Sequence, residues 1–232
     1  MNVPFTSEQF FNVFAQYNTA LWWAAAALWI GAGLAVNAAW HDPSARSRRL
    51  TWFLAALWLW NALAYHVAFF APVNPAAWVF ASAFTLQALL FVFLPARRDL
   101  DYFTARGWRR GTGTVLIVYA FVYPILNVAV GHEYPGTPTF GVPCPTAILT
   151  LGLLLTVRAR SARALSIIPA LWGFVAGWAA LLFNVWADYV LVLAALVTTL
   201  DMLGRLARRA RHRPAPHAQP PSAPHLRTDG LQ

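Results

Sequence analysis

The chain contains no lysine, and only eight of its 232 residues are acidic. Charged residues make up 11% of it, against about 25% in an ordinary soluble domain. Such a shortage excludes a soluble fold with a normally charged surface. One cysteine, Cys144, excludes an internal disulfide framework and any CxxC metal or redox motif. No basic n-region precedes the first apolar run, so no cleavable signal peptide is expected. No acidic residue stands at the centre of an apolar run, where a charge costs roughly 2.5–3.5 kcal/mol. That lack argues against an ion or proton relay and weakens a transporter reading.

What is there is apolar. Hydrophobic residues reach 59%, aromatics 15% with 12 Trp, and the mean hydropathy is +0.51. A spanning helix needs roughly 20 predominantly apolar residues. Seven segments meet or approach that length: Asn18–Trp40, Leu50–Ala71, Ala76–Leu94, Thr112–Val130, Pro145–Val157, Leu165–Phe183 and Ala187–Leu203. The expected fold is therefore all-α, a polytopic membrane protein with seven transmembrane helices. Pro124 should kink the fourth. The fifth is short unless Phe140–Cys144 re-enters the bilayer. Gly31 and Gly33 in the first helix, and Gly173-x-x-x-Gly177 in the sixth, are small-residue packing faces. They are also compatible with a homo-oligomer. Ser166–Leu203 is almost unbroken, and Asn184–Asp188 supplies its only polar interruption. A hairpin there gives seven helices; one long tilted helix gives six.

All 17 basic residues are arginine, a usage that suits a GC-rich bacterial genome. Arg46, Arg48 and Arg49 fill the first loop. Arg97, Arg98, Arg106, Arg109 and Arg110 fill the third, and Arg158, Arg160 and Arg163 the fifth. The even-numbered loops have none. Basic loops remain cytoplasmic, so seven helices place the amino terminus outside and the carboxyl terminus inside. Six would leave Arg205, Arg208, Arg209, Arg211 and Arg213 outside. The net charge of +9 read alone suggests nucleic acid. Read with the apolar runs it is topological, so no nucleic-acid partner is expected. The lipid bilayer is the expected partner, with anionic lipids drawn to the Arg-rich loops and tail.

Three regions follow. Residues 1–16 read as an amphipathic segment, with Thr6 and Gln9 as a capping box and Phe5 and Phe10 as its hydrophobic staple; they read equally well as the first turns of the first spanning helix. Residues 17–204 form the transmembrane domain. Residues 205–232 are basic and Pro-rich, and should be a disordered cytoplasmic tail.

On this topology the polar side chains gather outside. Tyr65 and His66 lie near the outer end of the second helix, and Asn127 near that of the fourth. His132 and Glu133 begin the outer loop Gly131–Thr146, Cys144 closes it, and Asp188 lies in the sixth loop. Pro143 and Pro145 hold Cys144 rigidly. His66, His132, Glu133 and Cys144 are of types that bind transition metals, but their spacing matches no ligand motif. Asn37, Asn61 and Gln87 suit inter-helix hydrogen bonds. The plainer alternative stays open: His66 bonds loop carbonyls, His132–Glu133 is a solvated turn, and Cys144 is a small buried apolar residue.

PTFGVPCPT at Pro138–Thr146, YHVAFF at Tyr65–Phe70 with Asn74-Pro75 after it, and the amino-terminal PFTSEQFFNVFAQYN carry a resemblance. The chain resembles an uncharacterised family of bacterial multi-pass membrane proteins, the domain of unknown function numbered 6064. The resemblance covers residues up to about 204 and brings no activity, cofactor or site residue with it. It implies a multi-pass protein, and the bacterial inner membrane is the expected location. Three function classes remain: binding or sensing of a small ligand or metal at the outer face, a membrane enzyme or redox partner using His66, His132, Glu133 and Cys144, and a structural or assembly protein. No cofactor is implied, and catalysis is the weakest expectation of the three.

Overall fold

The computed structural model describes residues 5–95, 100–131, 133–183 and 185–211. Among these residues the structure is helical, with no strand. The elements are α1 (Ser7–His41), α2 (Pro43–Trp60) continued as a π-helical stretch (Asn61–Phe70), α3 (Ala77–Phe93), α4 (Trp108–Ala129), α5 (Pro143–Leu155), a short α6 (Ser161–Leu165), α7 (Ile167–Phe183), a 3-10 turn (Trp186–Asp188) and α8 (Tyr189–Arg211). Five helices are long and apolar enough to cross a membrane; α3 and α5 are shorter apolar helices. In each of the five, half or fewer of the residues in the apolar stretch are buried inside the bundle. Trp22, Leu34, Val79, Phe93, Ile125, Leu181 and Leu200 all face outward. Exposed apolar surface on this scale belongs in contact with lipid.

The helix starts follow from local chemistry. Thr6 Oγ1 accepts from Gln9 N at 3.2 Å and Gln9 Oε1 from Thr6 N at 2.8 Å, so the capping box closes in both directions. Phe5 stacks on Phe10 beside it. α1 is 35 residues long, about 50 Å at 1.5 Å per residue, more than the roughly 30 Å of a hydrocarbon core. It breaks at Leu21 (φ −127°, ψ 22°). The turns before that break bring Phe5, Phe10 and Phe14 against Phe70, Tyr65 and Phe183.

α5 is the hub. It packs on α4, α7, α8 and α2, and all of its residues except Cys144 are buried. At 13 residues it is only about 20 Å long. Prolines at 143 and 145 start it, where a missing N–H costs no helical bond. Val142, extended, is its N-cap residue. α4 crosses α5 at Gly113 and Gly152. A Cβ at Gly113 would lie 2.6 Å from Gly152 O, and one at Gly152 2.9 Å from Gly113 O. Only glycine lets these two backbones approach so closely. On the other side, Trp58 Nε1 donates to Thr150 Oγ1 at 2.9 Å, and Asn61 Nδ2 to Thr146 Oγ1 at 3.1 Å.

The apolar run Ser166–Leu203 is divided. α7 ends at Phe183, and α8 packs back along it. Gly173 lies against Ala195 and Leu191, and Gly177 against Val192, so α8 covers that small-residue face within the chain. Gly31 lies against Phe53 on α2, and Gly33 loosely against Phe121 on α4.

The two ends of the bundle differ in chemistry. At one end, the 100–105 segment folds beneath the helices. Tyr102 N donates to Ser47 Oγ at 3.1 Å, Phe103 N to Thr156 Oγ1 at 3.0 Å, and Ala105 N to Thr156 O at 2.8 Å. Arg109 donates to Val157 O at 2.9 Å and pairs with Asp201 at 3.3 Å. These contacts gather the first, third and fifth loops and the end of α8, which carry the arginines, at one end. Arg97, Arg98 and residues 212–232 of the tail lie outside the described residues. The opposite end holds Gly131, residues 133–146 and the 185–188 turn.

Candidate functional site

The Gly131–Thr146 loop is anchored mainly by one residue of α1. Asn18 Nδ2 donates to Pro135 O at 2.6 Å and to Thr137 O at 2.8 Å, while Asn18 Oδ1 accepts from Thr139 Oγ1 at 2.5 Å. Tyr17 adds a second fastening. Its hydroxyl donates to Gly141 O at 3.3 Å and accepts from Trp60 Nε1 at 2.9 Å. Gly141 has φ +87°, and a Cβ there would stand 2.8 Å from Tyr17 Oη, so this position requires glycine on both counts. The fastened loop then runs inward: Phe140 and Val142 are buried in the bundle. It delivers Cys144 as the second residue of α5.

Cys144 meets a carboxylate 44 positions later. Cys144 Sγ donates to Asp188 Oδ2 at 3.3 Å, and Tyr123 Oη donates to Asp188 Oδ1 at 2.5 Å. Tyr119 Oη, one helical turn before Tyr123, donates to Ala187 O at 2.8 Å. Two tyrosines of α4 therefore fix the 186–188 turn and aim its acid at α5. Asp188 is buried. Both its oxygens accept a bond, yet among the described residues no cation pairs with it. An acid in such a place is a strong acceptor for any donor or positive charge that reaches it.

Above this pair is a cavity of about 310 Å³. Its walls are aromatic and aliphatic: Phe10, Phe14 and Phe70 on one side, Trp172 and Phe183 on another, with Tyr65, Cys144 and Asp188 giving it a polar end. The Phe10 and Phe183 rings stack at 4.7 Å between centroids. α2 contributes through its π-helical stretch, in which Ala71 N donates to His66 O, five residues back, at 2.8 Å. The buried residues there are Asn61, Ala62, Tyr65, His66 and Phe70.

The predicted site residues separate into groups. Tyr65, Cys144 and Asp188 line one cavity. His66 lies behind its wall, fully buried, with Phe84 at 4.7 Å, Trp172 at 5.4 Å and Phe80 at 5.8 Å between ring centroids. Among the described residues neither His66 ring nitrogen has a hydrogen-bond partner. Asn127 is buried on α4, where Nδ2 donates to Tyr123 O at 3.0 Å, one turn back. Glu133 is exposed on the loop. His132 lies outside the described residues, as does Asn184. Among the described residues, no three His, Cys, Asp or Glu side chains are grouped to hold a metal. Asn37 lines a groove with Trp40 and Phe103, and Gln87 Nε2 donates to Leu165 O at 2.9 Å.

Asn18 and Tyr123 have central roles that sequence reasoning did not assign. Asn18 stands at the start of the first apolar run with Gln16 two residues before it, so nothing local sets it apart. Tyr123 carried no signal, because its partner is 65 positions away.

The family of unknown function DUF6064 matches residues 7–213. No curated protein and no solved structure matches the chain.

Proposed function

Since the chain belongs to DUF6064, a family of unknown function, no activity comes to it from its relatives, and we propose one from its own side chains: it binds a small, largely apolar ligand bearing a hydrogen-bond donor in the aromatic cavity. The ligand's apolar body would pack on Phe10, Phe14, Phe70, Trp172 and Phe183. Its polar end would face Asp188 and Cys144. The observation that carries this reading is an aromatic cavity of about 310 Å³ ending on a carboxylate that no cation among the described residues neutralises. Pre-formed apolar concavities of roughly 300–1,000 Å³ with a few convergent polar groups are the usual form of a small-molecule site.

The setting is a bacterial inner membrane crossed seven times, with the amino terminus outside and the carboxyl terminus inside. Five long apolar helices support it, together with α3 and α5. α5 need not match the bilayer's thickness, because the other helices enclose it. The gathering of arginine loops at one end supports the orientation by the positive-inside rule. The ligand cavity then belongs to the outer half, beneath the first turns of α1. A shared metal gets no support: His66 is shut among rings and Glu133 is exposed.

Thermal unfolding of the purified full chain in detergent tests the ligand reading, with octylamine and octanol as probes. A ligand at about 100 times its dissociation constant adds roughly 2.7 kcal/mol. Octylamine is expected to raise the midpoint by several degrees in the wild type and not in Asp188→Asn. Octanol is expected to give a smaller rise in both. A wild type that neither probe shifts, or an octylamine shift that survives in Asp188→Asn, overturns the reading.

A further inference from the structure

A second pocket, of about 220 Å³, opens at the arginine end of the bundle. Among the described residues it is lined by Arg158, Ala159, Arg160, Arg163, Arg205 and Arg208, with no acid in that lining. The architecture that holds it is well bonded. α5 ends at Thr156, whose Oγ1 donates to Leu153 O at 2.6 Å. Arg109 then clamps Val157 O at 2.9 Å, just before Arg158. α6 carries Arg163 and closes on Ser166, whose Oγ donates to Ala162 O at 2.7 Å. Across the pocket, Arg205 and Arg208 are three residues apart on α8 and share a face.

Five guanidinium groups around one small volume repel each other. Among the described residues, Asp201 is an acid fixed nearby, and it is committed twice. Arg205 Nε donates to its two oxygens at 2.9 and 2.8 Å, and Arg109 Nε lies 3.3 Å from Oδ2. Among the described residues, one carboxylate shared by two arginines leaves the lining formed by Arg158, Arg160, Arg205 and Arg208 net positive. Guanidinium forks match the oxygens of phosphate in bidentate fashion, with a geometry that a diffuse basic surface does not provide.

We propose that this pocket is a specific binding site for a phosphate-bearing anion. Its place beside the end of a long apolar helix puts it where lipid headgroups stand, and a free phosphate presents the same chemistry. The site is separate from the aromatic cavity and independent of what that cavity binds. It differs from a general attraction of basic loops to anionic lipid in having a fixed lining and room for one headgroup.

The test uses the purified full chain in detergent. One arm measures retention of phosphatidylglycerol against phosphatidylcholine by native mass spectrometry. The other measures inorganic phosphate by equilibrium dialysis. The variant Arg158→Gln/Arg160→Gln/Arg163→Gln is compared with Arg46→Gln/Arg48→Gln/Arg49→Gln, which removes the same charge from the first loop. The pocket variant is expected to bind roughly 100-fold more weakly and the loop variant to stay near wild type. Arg208→Gln alone, at an exposed side chain, keeps the fold and should weaken binding about fivefold. Selective retention of phosphatidylglycerol identifies a lipid headgroup, and binding of phosphate without lipid selectivity identifies a soluble anion; either supports the site. Equal losses in the two triple variants, or no binding of either probe by the wild type, overturn it.

Discussion

Replacing Asn18 with aspartate changes one atom's chemistry and almost nothing of its shape. The wild-type amide donates to Pro135 O at 2.6 Å and Thr137 O at 2.8 Å. A carboxylate in its place donates neither bond and sets a negative oxygen against two carbonyls. Pro135 is exposed, so its carbonyl can turn to water, and that bond's loss costs about 1 kcal/mol. Thr137 is buried, and leaving its carbonyl unpaired costs about 1–3 kcal/mol. The bond from Thr139 Oγ1, charge-assisted in the variant, offsets part of this. The two losses sum to roughly 2–4 kcal/mol, and the offset brings the net to about 1–3 kcal/mol. For a chain of this size each kcal/mol moves the midpoint by about 2–4 °C, so Asn18→Asp is expected to melt roughly 3–9 °C lower. The loop should also loosen before the bundle does. Glu8 and Glu133 are the two glutamates in the chain, so a glutamate-specific protease reports directly on the loop. Cleavage after Glu133 is expected to be much faster in Asn18→Asp, while Thr139→Val, which removes one bond, shows a smaller effect. If Asn18→Asp melts within about 1 °C of wild type and Glu133 is cleaved no faster, Asn18 does not hold the loop.

Other predictions follow from the packing and the topology. Gly152→Ala forces a Cβ to within 2.9 Å of Gly113 O and 3.0 Å of Ile117 N, both backbone atoms. It should destabilise by about 1–3 kcal/mol, whereas Gly33→Ala meets its nearest atom at 3.8 Å and should be neutral or gain up to about 1 kcal/mol of helix propensity; equal melting temperatures in the two would contradict the α4–α5 crossing. Cys144 sits at the polar end of the cavity, bonded to Asp188. A small permeant alkylating reagent should therefore modify it and a bulky impermeant maleimide should not, until the protein is denatured; rapid maleimide labelling of intact spheroplasts would place it on an open surface instead. A carboxyl-terminal alkaline phosphatase fusion should be inactive and a fluorescent-protein fusion bright, and the reverse pattern would invert the orientation.

Legibility in the sequence was uneven, and particular residues show why. The capping box at Thr6 and Gln9 was readable because both partners lie within one helical turn. The division of Ser166–Leu203 was readable because a polar stretch interrupts an apolar run. Cys144 and Asp188 were each visible as unusual residues, but nothing local tied them to one another, to Tyr123 or to a common cavity. His66, which looked like a partner for Cys144, is enclosed by Phe80, Phe84 and Trp172 instead. The Gly113–Gly152 contact was hidden for the same reason: each glycine is ordinary alone, and only their approach makes them necessary.

The sequence by itself determined the apolar character of this protein's helices, their order and the end where its arginines collect. Hydropathy and charge are sums over neighbouring residues, and lipid responds to those sums directly. Tertiary structure decided what lies at the centre and which polar groups meet. α5 is too short to stand out, yet it becomes the hub because two prolines start it cleanly and glycine lets α4 close against it. The pairing of Asp188 with Cys144 and Tyr123 depends on three chain segments converging to within a few ångströms. That convergence is set by packing, and no local pattern encodes it.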